Sequence, residues 1–210
     1  MSLANHKTGF ACLLIVVLAL AAFASVTRNF RAVTTEEARR LDLKQFPKPL
    51  PDIKLIDSSG ETLSLAQIGR SNPDGRQVTL ITFIYTNCRT ICRAGAIDQL
   101  HLEKLIQDNG WSSHIKLLTL SFDPARDTPA VLRRYADTMK ADQDIWKFAT
   151  VADRSDLASL LRAFEITVLP DGLGGYAHNA AIFLVDRQGR LAGAYAMDEP
   201  ATALAESLHG

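Results

Sequence analysis

The sequence predicts an α/β fold in which a mixed sheet carries helices on both faces, after an apolar N-terminal segment. Two runs, residues 78–85 and 115–122, are apolar without polar alternation, as expected of strands covered on both faces. Segments with helical spacing alternate with these strands, and the last two strands flank a turn that suits an antiparallel pair. A length of 210 residues is consistent with one domain plus an appendage.

The apolar segment runs from Gly9 to Val26 without a charge and follows the short basic start His6-Lys7. This build is typical of a secretory signal or a membrane anchor. Ala22-Phe23-Ala24 offers a small-x-small cleavage site, so cleaved and retained forms both remain open. We therefore expect a signal or anchor at residues 1–27, a tether at 28–45 and a folded domain at 46–210. The domain would lie on the exported side of the cytoplasmic membrane, in the periplasm if the cell is Gram-negative.

The net charge and the position of Cys12 limit which functions and modifications the sequence supports. The chain has 23 Lys and Arg against 23 Asp and Glu, so no net field favours nucleic acid or an acidic partner. Cys12 opens the apolar segment instead of closing it, so we interpret it as a buried apolar filler and not as an acylation site. Two cysteines then remain for the exported part of the chain.

A capped helix or tether from Thr35 spaces the domain from the membrane, and Pro47, Pro49 and Pro51 then mark an extended entry to the domain, which begins near Phe46. Residues 53–56 and 62–65 predict a hairpin around Asp57-Ser58-Ser59-Gly60. A buried strand at 78–85 precedes a helix that starts near Cys92 and ends near Asn109, and a second strand follows at 115–122. This order predicts a parallel crossover.

A helix opened by Thr128-Pro129, a short strand at 148–151 and a helix at 153–164 capped by Asp153 complete the middle of the domain. The chain closes with a hairpin, residues 182–185 and 191–195, and a helix at 201–208. This arrangement is the layout of a thioredoxin-like domain. In such sheets functional sites lie at the C-terminal ends of strands.

Cys88 and Cys92 stand where the first buried strand passes into a helix. On a helical turn, residues i and i+4 share one face with Cβ atoms roughly 5–6 Å apart. Two sulfurs at that separation can hold one soft metal ion or, with adjustment, form a disulfide. A purely structural disulfide closing so short a loop would constrain the unfolded chain little, and inert buried thiols are the other alternative.

Three ordered motifs carry a specific resemblance: Tyr85-Thr86-x-Cys88-x-x-x-Cys92, the run from Ser121 to Pro129, and His178 before an apolar strand with Asp186-x-x-Gly189. Together they resemble the Sco/SenC family over about residues 47–209. The resemblance implies a thioredoxin-like fold and copper handling for cytochrome c oxidase assembly. It assigns Cys88 and Cys92 as thiolate ligands and His178 as the imidazole ligand, a set that suits Cu(I) or Cu(II).

His178 could also be an ordinary surface histidine, as lone histidines usually are. It follows the glycine-rich run Asp171-Gly172-Leu173-Gly174-Gly175, however, and a mobile loop of that kind could bring it to the cysteine pair. The remaining histidines, His6, His101, His114 and His209, lack a ligand context. Asp123, Arg126 and Asp127 are expected to join loop to helix, with support of the metal ligands as the alternative.

The chain departs from the family pattern after each cysteine, where Arg89 and Arg93 replace frequent prolines. Cationic neighbours favour thiolates, which would strengthen metal binding or tune disulfide exchange.

The sequence supports two hypotheses about function. The favoured one is a copper metallochaperone, not an enzyme, that cycles between a copper-holding dithiol and an oxidised form and delivers copper to an oxidase subunit, with a thiol-disulfide reductant as a candidate further partner. The alternative is a thiol-disulfide oxidoreductase that uses Cys88 and Cys92 as its redox pair to reduce the copper-ligand cysteines of a target. A thioredoxin-like peroxidase would need a differently placed Thr and Arg around its reactive cysteine, and the sequence shows no such motif.

Overall fold

The computed structural model describes residues 3–26, 35–70, 77–88 and 92–209. The chain divides into two compact units, residues 1–42 and 43–210. In the first unit, helix α1 spans Leu3–Val26. Its segment Thr8–Ser25 is long and apolar enough to cross a membrane and is not buried within the protein. Cys12 lies there with a free, exposed thiol, so the expectation of a buried filler is wrong, because α1 is not a core helix.

The second unit contains an eight-stranded sheet. Its strands are β1 (Lys48–Pro49), β2 (Lys54–Asp57), β3 (Thr62–Ser64), β4 (Val78–Ile84), β5 (Ile115–Ser121), β6 (Trp146–Val151), β9 (Ile182–Val185) and β10 (Arg190–Tyr195). The spatial order is β1-β10-β9-β4-β5-β6-β2-β3. Strands β4, β5 and β6 are parallel, and the other pairs in the sheet are antiparallel. The mixed sheet and its central strands are therefore confirmed.

The helices lie where the sequence predicts them. They are α2 (Thr35–Gln45), α3 (Cys92–Asp108), α4 (Pro129–Met139), α5 (Leu157–Ala163) and α6 (Pro200–His209). Asp153 accepts a hydrogen bond from the Ser155 amide and caps the 3-10 turn that leads into α5, as expected. The described helices of the domain connect strands or close the chain, which is the alternation that the sequence predicts.

Two hydrophobic cores lie on opposite faces of the sheet, because neighbouring residues of a strand point to opposite sides. The first contains Ile81 and Phe83 of β4, Leu118 and Leu120 of β5, Leu160 of α5, and Phe164 and Phe183. The second contains Leu80 of β4, Leu117 of β5, Leu102 and Ile106 of α3, Leu132 of α4, Trp146 of β6 and Ala203 of α6. Helices therefore cover both faces, as predicted.

A small second sheet was not predicted. Strands β7 (Val168–Pro170) and β8 (Tyr176–His178) form an antiparallel hairpin whose register pairs Val168 with His178. The glycine-rich run that the sequence predicts as a long mobile loop is the turn of this hairpin, with Gly172 and Gly174 at positive φ. His178 thus lies at the end of a strand and not within a loop.

Candidate metal centre

The Cys88 turn, residues 85–88, leaves the C-terminal end of the central strand β4. The Cys88 amide donates to the Tyr85 carbonyl at 3.3 Å and closes the turn. Cys88 is half-buried against the first hydrophobic core and is disulfide-bonded. Its position at the C-terminal end of a central parallel strand is the one that the sequence predicts.

The Cys92 backbone opens α3, but its side chain lies outside the described part of the structure. The same holds for the side chain of Arg93 and for Arg89. Among the side chains that the structure does describe, no group of three or more His, Cys, Asp or Glu could hold a metal ion. The assignment of Cys92 as a ligand therefore stays a prediction.

The half-buried His178 ring lies against two aromatic side chains that border the Cys88 turn. Its centroid is 4.8 Å from that of Phe122 and 6.4 Å from that of Tyr85. Phe122 directly follows β5, and its amide donates to the Ile84 carbonyl at the end of β4. The structure therefore brings His178 to the same end of the sheet as Cys88, across 90 positions of sequence.

The hydrogen bond of His178 sets which ring nitrogen can bind a metal. Nδ1 lies 2.9 Å from the carbonyl oxygen of Asn179. Because a carbonyl oxygen only accepts, Nδ1 carries the proton and donates. In the neutral imidazole, Nε2 then keeps its lone pair and is the nitrogen that can ligate a metal.

The side chain of Asn179 holds this carbonyl in place. Its Oδ1 accepts from the Thr167 amide at 2.7 Å, and its Nδ2 donates to the Glu165 carbonyl at 3.0 Å. Asn179 is not among the residues predicted from the sequence, although an Asn directly after a candidate histidine is a residue that can bond backbone on both sides.

The loop after β5 borders the site with three charged residues. Asp127, 0% exposed, accepts hydrogen bonds from the Thr86 amide and hydroxyl and from the Ser121 hydroxyl. Arg126 pairs with the buried Asp123, and this hydrogen bond raises the pKa of the Arg126 guanidinium. The sequence predicts that these residues join loop to helix. Their side chains instead contact Thr86 of the Cys88 turn, Ser121 at the end of β5, and the Gly174 carbonyl of hairpin β7-β8.

The other described histidine side chains are away from this arrangement. His101 is exposed on α3, and His114 is exposed and bonded to the Ser113 hydroxyl. The side chains of His6 and His209 lie outside the described residues.

Three aromatic side chains complete the site. The ring centroids of Tyr85, Phe122 and Tyr176 lie 5.2 to 5.7 Å apart.

The chain is similar to members of a known protein family. The family model described as SCO1/SenC matches residues 50–210. The SCO1 protein homolog of Bacillus subtilis is 28% identical over 131 residues, which cover 57% of this chain and 67% of that protein.

Solved structures share the fold at low sequence identity. The structure of yeast Sco1 with copper bound has a TM-score of 0.62 at 18% identity, covering 78% of this chain and 88% of that one. BsSco, described as a Sco-family cytochrome c oxidase assembly protein with a disulfide switch, has a TM-score of 0.64 at 22% identity, covering 78% and 93%. The thioredoxin-like fold of this family is therefore confirmed.

Proposed function

This chain belongs to the SCO1/SenC family, and we propose that it is an exported, membrane-tethered copper metallochaperone. It binds copper through Cys88, Cys92 and His178 and delivers it to a subunit of cytochrome c oxidase during assembly of a copper site. The apolar helix α1 supplies the membrane tether and places the domain on the exported side of the cytoplasmic membrane.

The observation that carries this proposal is the shared position of Cys88 and His178 around Tyr85. The Tyr85 carbonyl accepts from the Cys88 amide, and the Tyr85 ring contacts the His178 ring. Residues far apart in sequence that meet at the C-terminal end of a central strand are expected to form a functional site.

The donor set fits copper as cargo. Thiolates favour Cu(I), and a neutral imidazole nitrogen binds either copper oxidation state. Nε2 of His178 is the nitrogen left for this purpose by the Nδ1 bond to Asn179. Three ligands leave part of the coordination shell for a partner, which suits transfer of the ion over permanent storage.

The disulfide of Cys88 sets a condition for copper binding. A sulfur in a disulfide is not a thiolate, so the pair must first accept two electrons and two protons to become two thiols. Each thiol then loses its proton when copper binds. An external dithiol that becomes a disulfide in the exchange would supply the electrons, which is why the proposal includes a thiol-disulfide reductant as a partner.

Two relatives support the proposal by their described properties. Yeast Sco1 has been solved with copper bound, and BsSco is described as a member of a family of cytochrome c oxidase assembly proteins. We extend both properties to this chain as part of the proposal, because it shares their fold and retains both cysteines and the histidine of the motif.

The same disulfide favours a second candidate function, thiol-disulfide oxidoreductase. In that role the reduced Cys88 and Cys92 pair would pass two electrons to a disulfide in the target and itself become oxidised. His178 separates the two functions, since exchange needs the cysteines alone whereas copper retention needs all three side chains.

The test is copper stoichiometry of the reduced full chain in detergent, with Cu(I) and Cu(II) measured separately. We expect one equivalent in the parent, and loss of it in Cys88→Ser, Cys92→Ser and His178→Ala. Cys12→Ser and His101→Ala are the matched controls, because both residues are exposed and lie outside the site. Absence of copper from the reduced parent, with rapid reduction of a disulfide substrate, would move the assignment to the oxidoreductase.

A further inference from the structure

We infer that the loop between β5 and α4, residues 123–127, fixes the distance between the two halves of the candidate metal centre. Arg126 and Asp127 are the positioning residues: one holds the His178 hairpin, residues 168–178, and the other holds the Cys88 turn. This inference rests on the proposed function and adds to the three ligands the residues that set their relative position.

Asp127 holds the Cys88 turn. Its carboxylate accepts from the Thr86 amide at 3.0 Å and from the Thr86 hydroxyl at 2.5 Å. It also accepts from the hydroxyl of Ser121, the last residue of β5. Hydrogen bonds to a carboxylate are stronger than neutral ones, and this carboxylate is 0% exposed. Through Asp127, Thr86 in the Cys88 turn is therefore fixed to the end of the neighbouring strand β5.

Arg126 holds the His178 hairpin. Its Nη1 donates to the Gly174 carbonyl at 2.8 Å, and its guanidinium carbon lies 5.2 Å from the centroid of the Tyr176 ring. Asp123, which is 5% exposed, binds the same guanidinium and orients it. A planar group with several donors can make these contacts at once, whereas an ammonium cannot reproduce them.

Tyr85 and Tyr176 make a second connection. The Tyr85 hydroxyl accepts from the Tyr176 amide at 3.2 Å and donates to the Tyr176 carbonyl at 3.4 Å. The Cys88 turn and the hairpin therefore meet directly through Tyr85 and indirectly through residues 123–127. Two independent connections between the same pair of segments restrict both their separation and their relative rotation.

Arg126 is the better residue to change, because its side chain is 41% exposed whereas Asp127 is 0% exposed; the loss of Arg126 leaves the buried Asp123 carboxylate without its ion pair. In Arg126→Ala the Tyr85 connection remains, so the fold is retained while the hairpin gains freedom. Arg126→Lys keeps the charge but not the planar group. Arg133→Ala is the matched control, since Arg133 lies on α4 with a half-exposed side chain and contacts Asp137 at 3.9 Å.

The experiment measures three properties of the reduced full chain in detergent: copper affinity by chelator competition, the Cu(II) electron paramagnetic resonance spectrum, and amide hydrogen exchange in copper-free protein. We expect Arg126→Ala to weaken copper binding about tenfold, a change of roughly 1.4 kcal/mol. We also expect altered Cu(II) parameters and faster exchange at residues 169–178. Arg126→Lys should recover part of each change, and Arg133→Ala should match the parent.

Copper affinity, spectrum and exchange in Arg126→Ala equal to those of Arg133→Ala would overturn the inference. Absence of copper from the parent would instead contradict the proposed function. In that case the hydrogen-exchange comparison of Arg126→Ala with Arg133→Ala still tests whether Arg126 holds the hairpin, because it needs no copper.

Discussion

The imidazole ring of His178 packs against the ring of Phe122, with centroids 4.8 Å apart and planes inclined at 63°. Phe122 is 4% exposed and also contacts Tyr85 and Tyr176. The edge-to-face geometry is a favoured one for aromatic rings. Phe122 therefore forms the wall against which His178 is oriented, in addition to filling the first hydrophobic core.

Substitution of Phe122 should lower copper affinity as well as stability. In Phe122→Leu the smaller side chain leaves a gap beside the imidazole, so we expect the free energy of unfolding to fall by about 1–2 kcal/mol. On the proposed function we also expect copper affinity to fall by several-fold, because the imidazole of His178 gains alternative orientations. Denaturant unfolding and chelator competition measure the two effects.

Phe164→Leu is the control for this prediction. Phe164 is 1% exposed and packs at 5.1 Å from both Phe83 and Phe183, without a contact to His178 among the described ring pairs. It should lose similar stability and keep the copper affinity of the parent. Equal copper affinity in both variants would mean that Phe122 acts through the core alone.

Asn179 offers a second way to disturb the imidazole without touching it. Asn179→Ala removes the bonds to Thr167 and Glu165 that hold the carbonyl to which His178 Nδ1 donates. Because outer-shell partners tune ligand affinity about 10–100-fold, we expect weaker copper binding toward the lower end of that range. Cu(II) spectra and chelator competition are the measurements.

The matched control for Asn179 is Asn109→Ala. Asn109 also bonds backbone through its amide, donating to the Leu105 carbonyl at 2.8 Å at the end of α3. This variant should bind copper like the parent. Unchanged copper binding in Asn179→Ala as well would show that the side chain of Asn179 has no part in placing His178.

Strong local patterns made much of the fold predictable from sequence. The run at residues 78–85 is apolar on both faces, and β4 is indeed central, between β9 and β5. The Asp153 cap and the Thr128-Pro129 start of a helix depend on local hydrogen bonding and fixed φ, so they need no tertiary information. The position of Cys88 at the end of β4 follows from the same local signals.

Elements that depend on distant partners were missed. Strand β1 has two residues, one of them Pro49, and exists because it pairs with β10 at the edge of the sheet, where proline is tolerated. Hairpin β7-β8 also contains a proline, and its three-residue strands have too little pattern to distinguish them from a loop. The contacts of Arg126 with Gly174 span 48 positions, which no local pattern encodes.

Gly69 should tolerate substitution less than its φ alone suggests. A Cβ at Gly69 would lie 2.4 Å from the Asp186 carbonyl oxygen, in a backbone of φ +83°. Gly60 has a similar φ of +88° and open space around it. We expect Gly60→Ala to cost about 1–2 kcal/mol from the left-handed conformation alone. Gly69→Ala should cost clearly more in denaturant unfolding, since the carbonyl is backbone and cannot move aside. Equal losses would mean that the chain relieves this contact without cost.

Glu103 gives a prediction about pH. It lies on α3 with 5% exposure, and burial, together with the nearby charge of Asp142, raises the pKa of its carboxyl despite the hydrogen bond from the Asp142 amide. A carboxyl whose pKa is raised in the folded state contributes stability that is fully present below its unfolded pKa of about 4.3 and is lost as the pH rises through the folded pKa. Above that pKa the protein therefore holds a buried carboxylate at a cost.

Glu103→Gln removes this cost and keeps an oxygen that can accept from the Asp142 amide. We expect the variant to be more stable than the parent near neutral pH, with a difference that shrinks as the pH falls through the raised pKa and levels off below about pH 4. Urea unfolding across this range measures it, with Glu61→Gln, at an exposed position, as the control. A lower stability of Glu103→Gln at neutral pH, or a difference independent of pH, would mean that the hydrogen bond to the ionised carboxylate outweighs its burial.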